Sequence, residues 1–110
     1  MLALLIMLAS LISMPSSDIS VSGHGPGAVP IELEPGLTIF NWTHDGSSWF
    51  DVDLLDVNGS DRRNLVLFDG TFNGSNAILV LERGIYAIDI DADGNWTLNV
   101  TQLINEELAA

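Results

Sequence analysis

The chain has 110 residues and no cysteine, and carries fifteen Asp and Glu against three Arg (Arg62, Arg63, Arg83) with no Lys, for a formal net charge of −12. That length fits one domain, and the lack of thiols excludes disulfide staples, thiolate metal ligands and a cysteine nucleophile. The charge repels phosphate backbones and anionic lipid, so nucleic acid is excluded as a partner. Abundant Asp without Lys reads as adaptation to high salt, because near 1 M the Debye length falls to about 3 Å and self-repulsion is screened.

Met1 to Met14 is apolar except for Ser10 and Ser13, and Pro15 ends any helix there. As a helix, fourteen such residues would rise about 21 Å, short of the roughly 30 Å hydrocarbon core. Residues 1–15 are therefore expected as a leader helix, either a signal peptide or a membrane leader, although no basic residue precedes the apolar run. Ser20-Val21-Ser22 is the best small-x-small cleavage candidate. Export to the cell surface or beyond follows as the expected location. Ser16 to Gly27 is polar and glycine-rich and reads as a flexible tether.

From Val29 onward apolar and polar residues alternate with period two between turn signals. Val29 to Leu33 and Leu37 to Trp42 flank Glu34-Pro35-Gly36, and His44 to Ser48 leads into Phe50, Val52 and Leu54, which alternate with Asp51 and Asp53. Val57-Asn58-Gly59-Ser60 reads as a turn, Leu65 to Phe68 as a strand closed by Asp69-Gly70, and Ala77 to Leu81 as one closed by Glu82-Arg83-Gly84. Tyr86, Ile88 and Ile90 share one face, with Asp89 and Asp91 on the other. Asp93-Gly94 is expected to close a hairpin, glycine being tolerant of positive φ, with Trp96, Leu98 and Val100 returning inward. Residues 105–110 read as a tail. Seven or eight short strands at this spacing predict an all-β fold, a small antiparallel β-sandwich of jelly-roll-like form over residues 28–104. Its eight large aromatics, Phe40, Trp42, Trp49, Phe50, Phe68, Phe72, Tyr86 and Trp96, are expected mainly as core, with a sugar-stacking platform as the alternative.

Five of the eight asparagines, Asn41, Asn58, Asn73, Asn95 and Asn99, sit in Asn-x-Ser/Thr, where chance predicts about one such site. They are candidate glycosylation sites, although turn-rich β sequences also favour these residues. Asp89-Ile90-Asp91-Ala92-Asp93-Gly94 matches the first half of a calcium loop, but Val100 falls where the bidentate acid belongs. Asp89, Asp91 and Asp93 are thus candidate metal ligands. Asp51-Val52-Asp53 and Asp56-Val57-Asn58 form a second acidic edge that could bind a cation jointly if the acidic strands pair. His24 and His44 lack the paired spacing of a zinc site, and His44 reads as a backbone cap in a turn. A triad of His44, Asp45 and a serine could be drawn, but no Gly-x-Ser-x-Gly elbow accompanies it.

The runs Thr43-His44-Asp45-Gly46, Phe50 to Asp56, Gly74, Gly84-Ile85-Tyr86 and Ala92-Asp93-Gly94-Asn95-Trp96 resemble, over Gly36 to Gln102, small exported archaeal and bacterial β-sandwich modules similar to bacterial pre-peptidase C-terminal domains. The resemblance implies an accessory or stand-alone surface module and carries over no catalytic residue. The resulting expectation is a non-enzymatic module that works by binding or structural contact, with an unidentified protein or glycan as partner and no cofactor. Contact with membrane is expected only through residues 1–14. The alternatives are a calcium-binding domain and a glycosylated fibre subunit that donates Ser16 to Leu33 as a strand to its neighbour.

Overall fold

The computed structural model describes residues 16–104 apart from 57, 59 and 60. The expected leader over 1–15 and tail over 105–110 lie outside the described residues. The strands are β1 (Ser16–His24), β2 (Gly27–Leu33), β3 (Gly36–His44), β4 (Trp49–Leu55), β5 (Arg62–Asp69), β6 (Phe72–Val80), β7 (Gly84–Asp91) and β8 (Asn95–Ile104). They form two four-stranded antiparallel sheets, ordered β1-β8-β3-β6 and β2-β7-β4-β5. Successive strands swap sheets at every connection but one, so that two Greek keys wrap around one interior, the double-sheet jelly-roll arrangement.

Period-two alternation builds the core. Phe40, Trp42, Leu98 and Val100 point inward from the first sheet and Phe50, Val52, Ile88 and Ile90 from the second, each at most 1% exposed. Trp42 packs edge-on to Phe50 at 5.8 Å between ring centroids. Buried Gln102 latches the two sheets where β2 passes into β3. Its Oε1 accepts from the Glu34 N–H at 3.0 Å, and its Nε2 donates to the Glu34 carbonyl and to Thr38 Oγ1, both at 2.8 Å.

Two sequence expectations are corrected here. Ser16 to Gly27 is not a tether, because β1 pairs with β8 along its whole length. Ile19 and Val21 face the core from it. Gly23 is required because a Cβ there would stand 2.4 Å from the Trp96 ring. Gly23, which read as flexibility, thus marks close packing, and Ser16 to Leu33 completes the chain's own sheets. Nor do β7 and β8 form a hairpin, since they lie in different sheets. Alternation tells which side chains are dry but not which sheet receives them, and a turn of Ala92 to Gly94 spans the sandwich edge as readily as it joins neighbours. The expected positive φ is absent from Gly94 and occurs at Gly25, Gly36 and Gly70.

Candidate functional site

Strand geometry turns four of the five Asn-x-Ser/Thr motifs into a single surface. In a strand, residues i and i+2 share a face, so each asparagine stands beside its own hydroxyl partner. Strands β8, β3 and β6 are neighbours in the first sheet, and their outward positions are occupied by these pairs. Cross-strand partners give one row of Ser22, Thr97, Thr43 and Asn73, and the next of Ser20, Asn99, Asn41 and Ser75. Thr43 and Thr97 share a hydrogen bond between their hydroxyls. Asn99 Nδ2 donates to Ser20 Oγ at 3.0 Å, and Thr101 Oγ1 to Asp18 Oδ1 at 2.7 Å. Asp18 is the one carboxylate on this face among the described residues. The fifth candidate, Asn58, is exposed in the β4–β5 connection, where its N–H donates to Asp56 Oδ1 at 3.2 Å.

The opposite face has the other character. Strands β4 and β7 do pair, which places Asp51 across from Asp91 and Asp53 across from Asp89. Like charges directly opposite one another repel. Two neighbours relieve the array: Arg62 Nη1 lies 2.5 Å from Asp53 and 3.5 Å from Asp89, and Asn64 Nδ2 donates to Asp51 at 2.8 Å and Asp53 at 2.9 Å. Burial, followed by the charge of Asp53, pushes the Asp51 carboxyl above its ordinary value. The candidate ligands Asp89, Asp91 and Asp93 are strung along β7 and its turn rather than curled around a point. Among the described residues no group of three or more His, Asp or Glu is placed to hold a metal ion.

The end of the sandwich formed by the β1–β2, β3–β4, β5–β6 and β7–β8 connections, here called the tip, is closed by a hydrogen-bond network. Asp45 accepts from the Asn95 N–H at 2.6 Å and from Asn95 Nδ2 at 3.1 Å, while Asn95 Oδ1 meets His24 Nδ1 at 2.8 Å. Asp93 accepts from the N–H groups of Ser47 and Ser48 at 3.2 and 3.0 Å. Burial raises the Asp93 carboxyl, but these bonds outweigh it and hold the group below its ordinary value. His44, whose side chain is 0% exposed, stacks on Phe50 at 4.5 Å and uses Nδ1 to meet the Gly70 carbonyl at 2.9 Å. It caps backbone, as its sequence setting suggested. Its Nε2 stands 3.3 Å from Asp93 Oδ1 without the alignment of a hydrogen bond. Ser47 Oγ, the hydroxyl next along the chain from His44 and Asp45, bonds Asp93 at 3.3 Å rather than His44.

At the other end, the base, a cleft of about 280 Å³ opens between the free edges of β5 and β6, lined by Leu54, Ile78, Val80, Tyr86, Asp61 and Arg63 among others. Tyr86 donates to the Glu82 carbonyl at 2.7 Å, and burial, then the charges of Glu82 and Asp56, raise its phenol above the ordinary value. The aromatics make no shared platform. Trp49 is 55% and Phe68 45% exposed, but Trp49 pairs with Asp69 on the outer side while Phe68 packs inward against Phe72 at 5.3 Å.

Fold and surface together define a small double-sheet β-roll with one neutral and one acidic face. No protein-family model matches the chain, and no curated protein matches it in sequence. The resemblance to pre-peptidase C-terminal domains therefore gains no support from these comparisons. Among solved structures, oxalate oxidase is similar at 17% identity and a TM-score of 0.49, over 81% of this chain and 42% of that one, so this chain spans less than half its length. A cupin superfamily protein of Desulfitobacterium hafniense is similar at 17% identity, TM-score 0.45, over 89% of this chain and 88% of that one. A carbohydrate-binding module of Cellvibrio mixtus lichenase 5A is similar at 12%, TM-score 0.40, over 78% and 64%. The expectation that the chain is not an enzyme is corrected on this finding. A fold does not by itself decide function, so a small sandwich is no ground for excluding catalysis and enzyme status stays open.

Proposed function

We propose that this protein is an exported, surface-displayed β-sandwich that works by contact and carries glycans on the outer face of its β1-β8-β3-β6 sheet. The carrying observation is the gathering of Asn41, Asn73, Asn95 and Asn99, with their hydroxyl partners, on one side of one sheet. Period two places each asparagine beside its own Ser or Thr, but it does not place three strands in the same sheet with the same side out. The apolar Met1–Met14 segment supports export, and the near absence of carboxylates from this face suits a layer of neutral sugar. Occupancy follows from local bonding. Asn73 lies on an edge strand, whereas Asn95 Nδ2 is held by Asp45 and Asn99 Nδ2 by Ser20.

Intact mass and glycopeptide mapping of the protein purified from its own cells provide the test. Glycan at Asn73 and Asn41, with Asn95 and Asn99 bare, is the expected result. An unmodified mature chain would overturn the reading.

A further inference from the structure

Of the four edge strands of the described sandwich, β6 alone lacks the devices that keep sheet edges from pairing. A free edge presents unpaired N–H and C=O groups, and charge, proline or a bulge usually blunts it. Strand β2 carries Pro30 and Glu32, β1 carries Asp18, and β5 carries Arg62, Arg63 and Asp69 beside a register shift against β4. Strand β6, Phe72-Asn73-Gly74-Ser75-Asn76-Ala77-Ile78-Leu79-Val80, has neither charge nor proline and runs in unbroken register with β3. Its other edge is turned to the open side of the sandwich, where the cleft separates it from β5.

The strand itself indicates what pairs with it. At its middle, Asn76 is the cross-strand partner of buried Phe40 and points inward, half-buried, and its Oδ1 is buried without a hydrogen bond. A buried acceptor left unmet is costly. Strand β6 is also complementary to its own reversed copy. With Asn76 opposite the Asn76 of a second copy, Ile78 meets Gly74 and Val80 meets Phe72 on the inner side. On the outer side Ala77 meets Ser75. Leu79, which forms an exposed row with Leu37 and Leu103, meets Asn73. The central pairing brings the amide Nδ2 of each copy to the orphaned Oδ1 of the other. Two bodies of net charge −12 repel, so a neutral strip is where contact between them costs least, and reversal keeps their tips, each with Asp45 and Asp93, at opposite ends.

We infer that the free edge of β6 is the dimer interface of this protein, joining two copies antiparallel about a twofold axis at Asn76 so that their β1-β8-β3-β6 sheets run on as one. Asn73 projects from the outer face of that sheet, so a sugar there leaves the edge open.

The chain has no cysteine, so engineered thiols report register without interference. In the inferred pairing Ser75 lies directly opposite Ala77 of the second copy, within about 5.5 Å, whereas Ser75 to Ser75 and Ala77 to Ala77 are diagonal at roughly 7–8 Å, beyond ordinary disulfide reach. Full-length unmodified recombinant chain in nonionic detergent is the sample, so the outcome is independent of glycan occupancy. An equal mixture of the Ser75→Cys and Ala77→Cys chains, mildly oxidised, is expected to give severalfold more covalent dimer than either chain alone. Ser22→Cys, exposed on the opposite edge strand β1, should give little. Sedimentation of the unaltered chain should show a dimer whose share rises between about 0.1 and 1 M NaCl as the charge is screened. Ser75→Lys with Ala77→Lys, both at exposed positions, should weaken it severalfold with circular dichroism unchanged. A monomer at high concentration in 1 M NaCl would overturn the inference, as would a mixture that crosslinks no better than its components. A dimer that survives the lysine pair, or crosslinks equally through Ser22→Cys, would overturn it in favour of association through another part of the chain.

Discussion

Side chains at the tip are fixed by short distances rather than by bulk. A Cβ on Gly94 would lie 2.5 Å from the Gly46 nitrogen and 2.6 Å from Asp45 Oδ1, and backbone cannot swing aside as a side chain can. Gly94→Ala is therefore expected to cost about 1–3 kcal/mol, the usual range for forced overpacking, measured by urea denaturation. Gln102→Leu should cost a similar amount, about 1–3 kcal/mol, because it removes a partner from the buried Thr38 hydroxyl and from the part-buried Glu34 N–H and carbonyl. Two carboxyls give acid titrations of opposite sign. The folded value of Asp93 lies below the ordinary 3.8, so its stabilisation is present above that value and lost as pH falls through the folded one. The folded value of Asp51 lies above 3.8, so its contribution is present below that value and lost as pH rises through the folded one. Asp93→Asn should flatten the acid limb of a stability–pH curve. Asp51→Asn should raise stability at pH 7, with the gain vanishing below about pH 4.

At the scale of elements, the pairing of β4 with β7 decides what the acidic strands do. Their carboxylates face one another across the sheet, and Arg62 and Asn64 already sit among them. Removing one charge by Asp91→Asn is expected to stabilise the sandwich by roughly 0.5 kcal/mol through relief of the Asp51 repulsion, read from a shift in denaturation midpoint at constant slope. Because these acids lie along extended strands and Asp93 is spent on Ser47 and Ser48, calcium at matched ionic strength is expected to leave the melting temperature unchanged. A rise of several degrees would instead mean a site assembled by the ion. Strand existence was legible in sequence, since Phe50, Val52 and Leu54 and then Trp96, Leu98 and Val100 alternate plainly and all are buried. The true lengths of β5 and β6 were less so. A register shift between Val52 and Asp53 breaks the period opposite β5, and β6 lies at a sheet edge with its inner residues only half-buried.

For the molecule as a whole, charge sets the response to solvent. A body this small with a net charge of −12 repels itself, and salt relieves that repulsion. Its melting temperature is expected to climb between about 0.1 and 1 M NaCl, as the Debye length falls from about 10 to about 3 Å. A flat salt profile would remove the high-salt interpretation of the composition. The polarity along the strands, asparagines toward the tip and leucines toward the base on one face, belongs to this scale too. It appears only when β3, β6 and β8 are laid side by side.

Alternation along the chain, a property of adjacent residues, determined which side chains of Val29 to Gln102 are dry, and turn chemistry determined roughly where strands stop. Neither could decide sheet membership. That is settled by long-range pairing, in which β1 closes on β8 across some eighty residues of chain and every crossing of the sandwich edge costs no local signature. For the same reason most of the expected tether, Ser16 to His24, proved to be a strand: its Gly23 answers to Trp96, a neighbour in space that no local window contains.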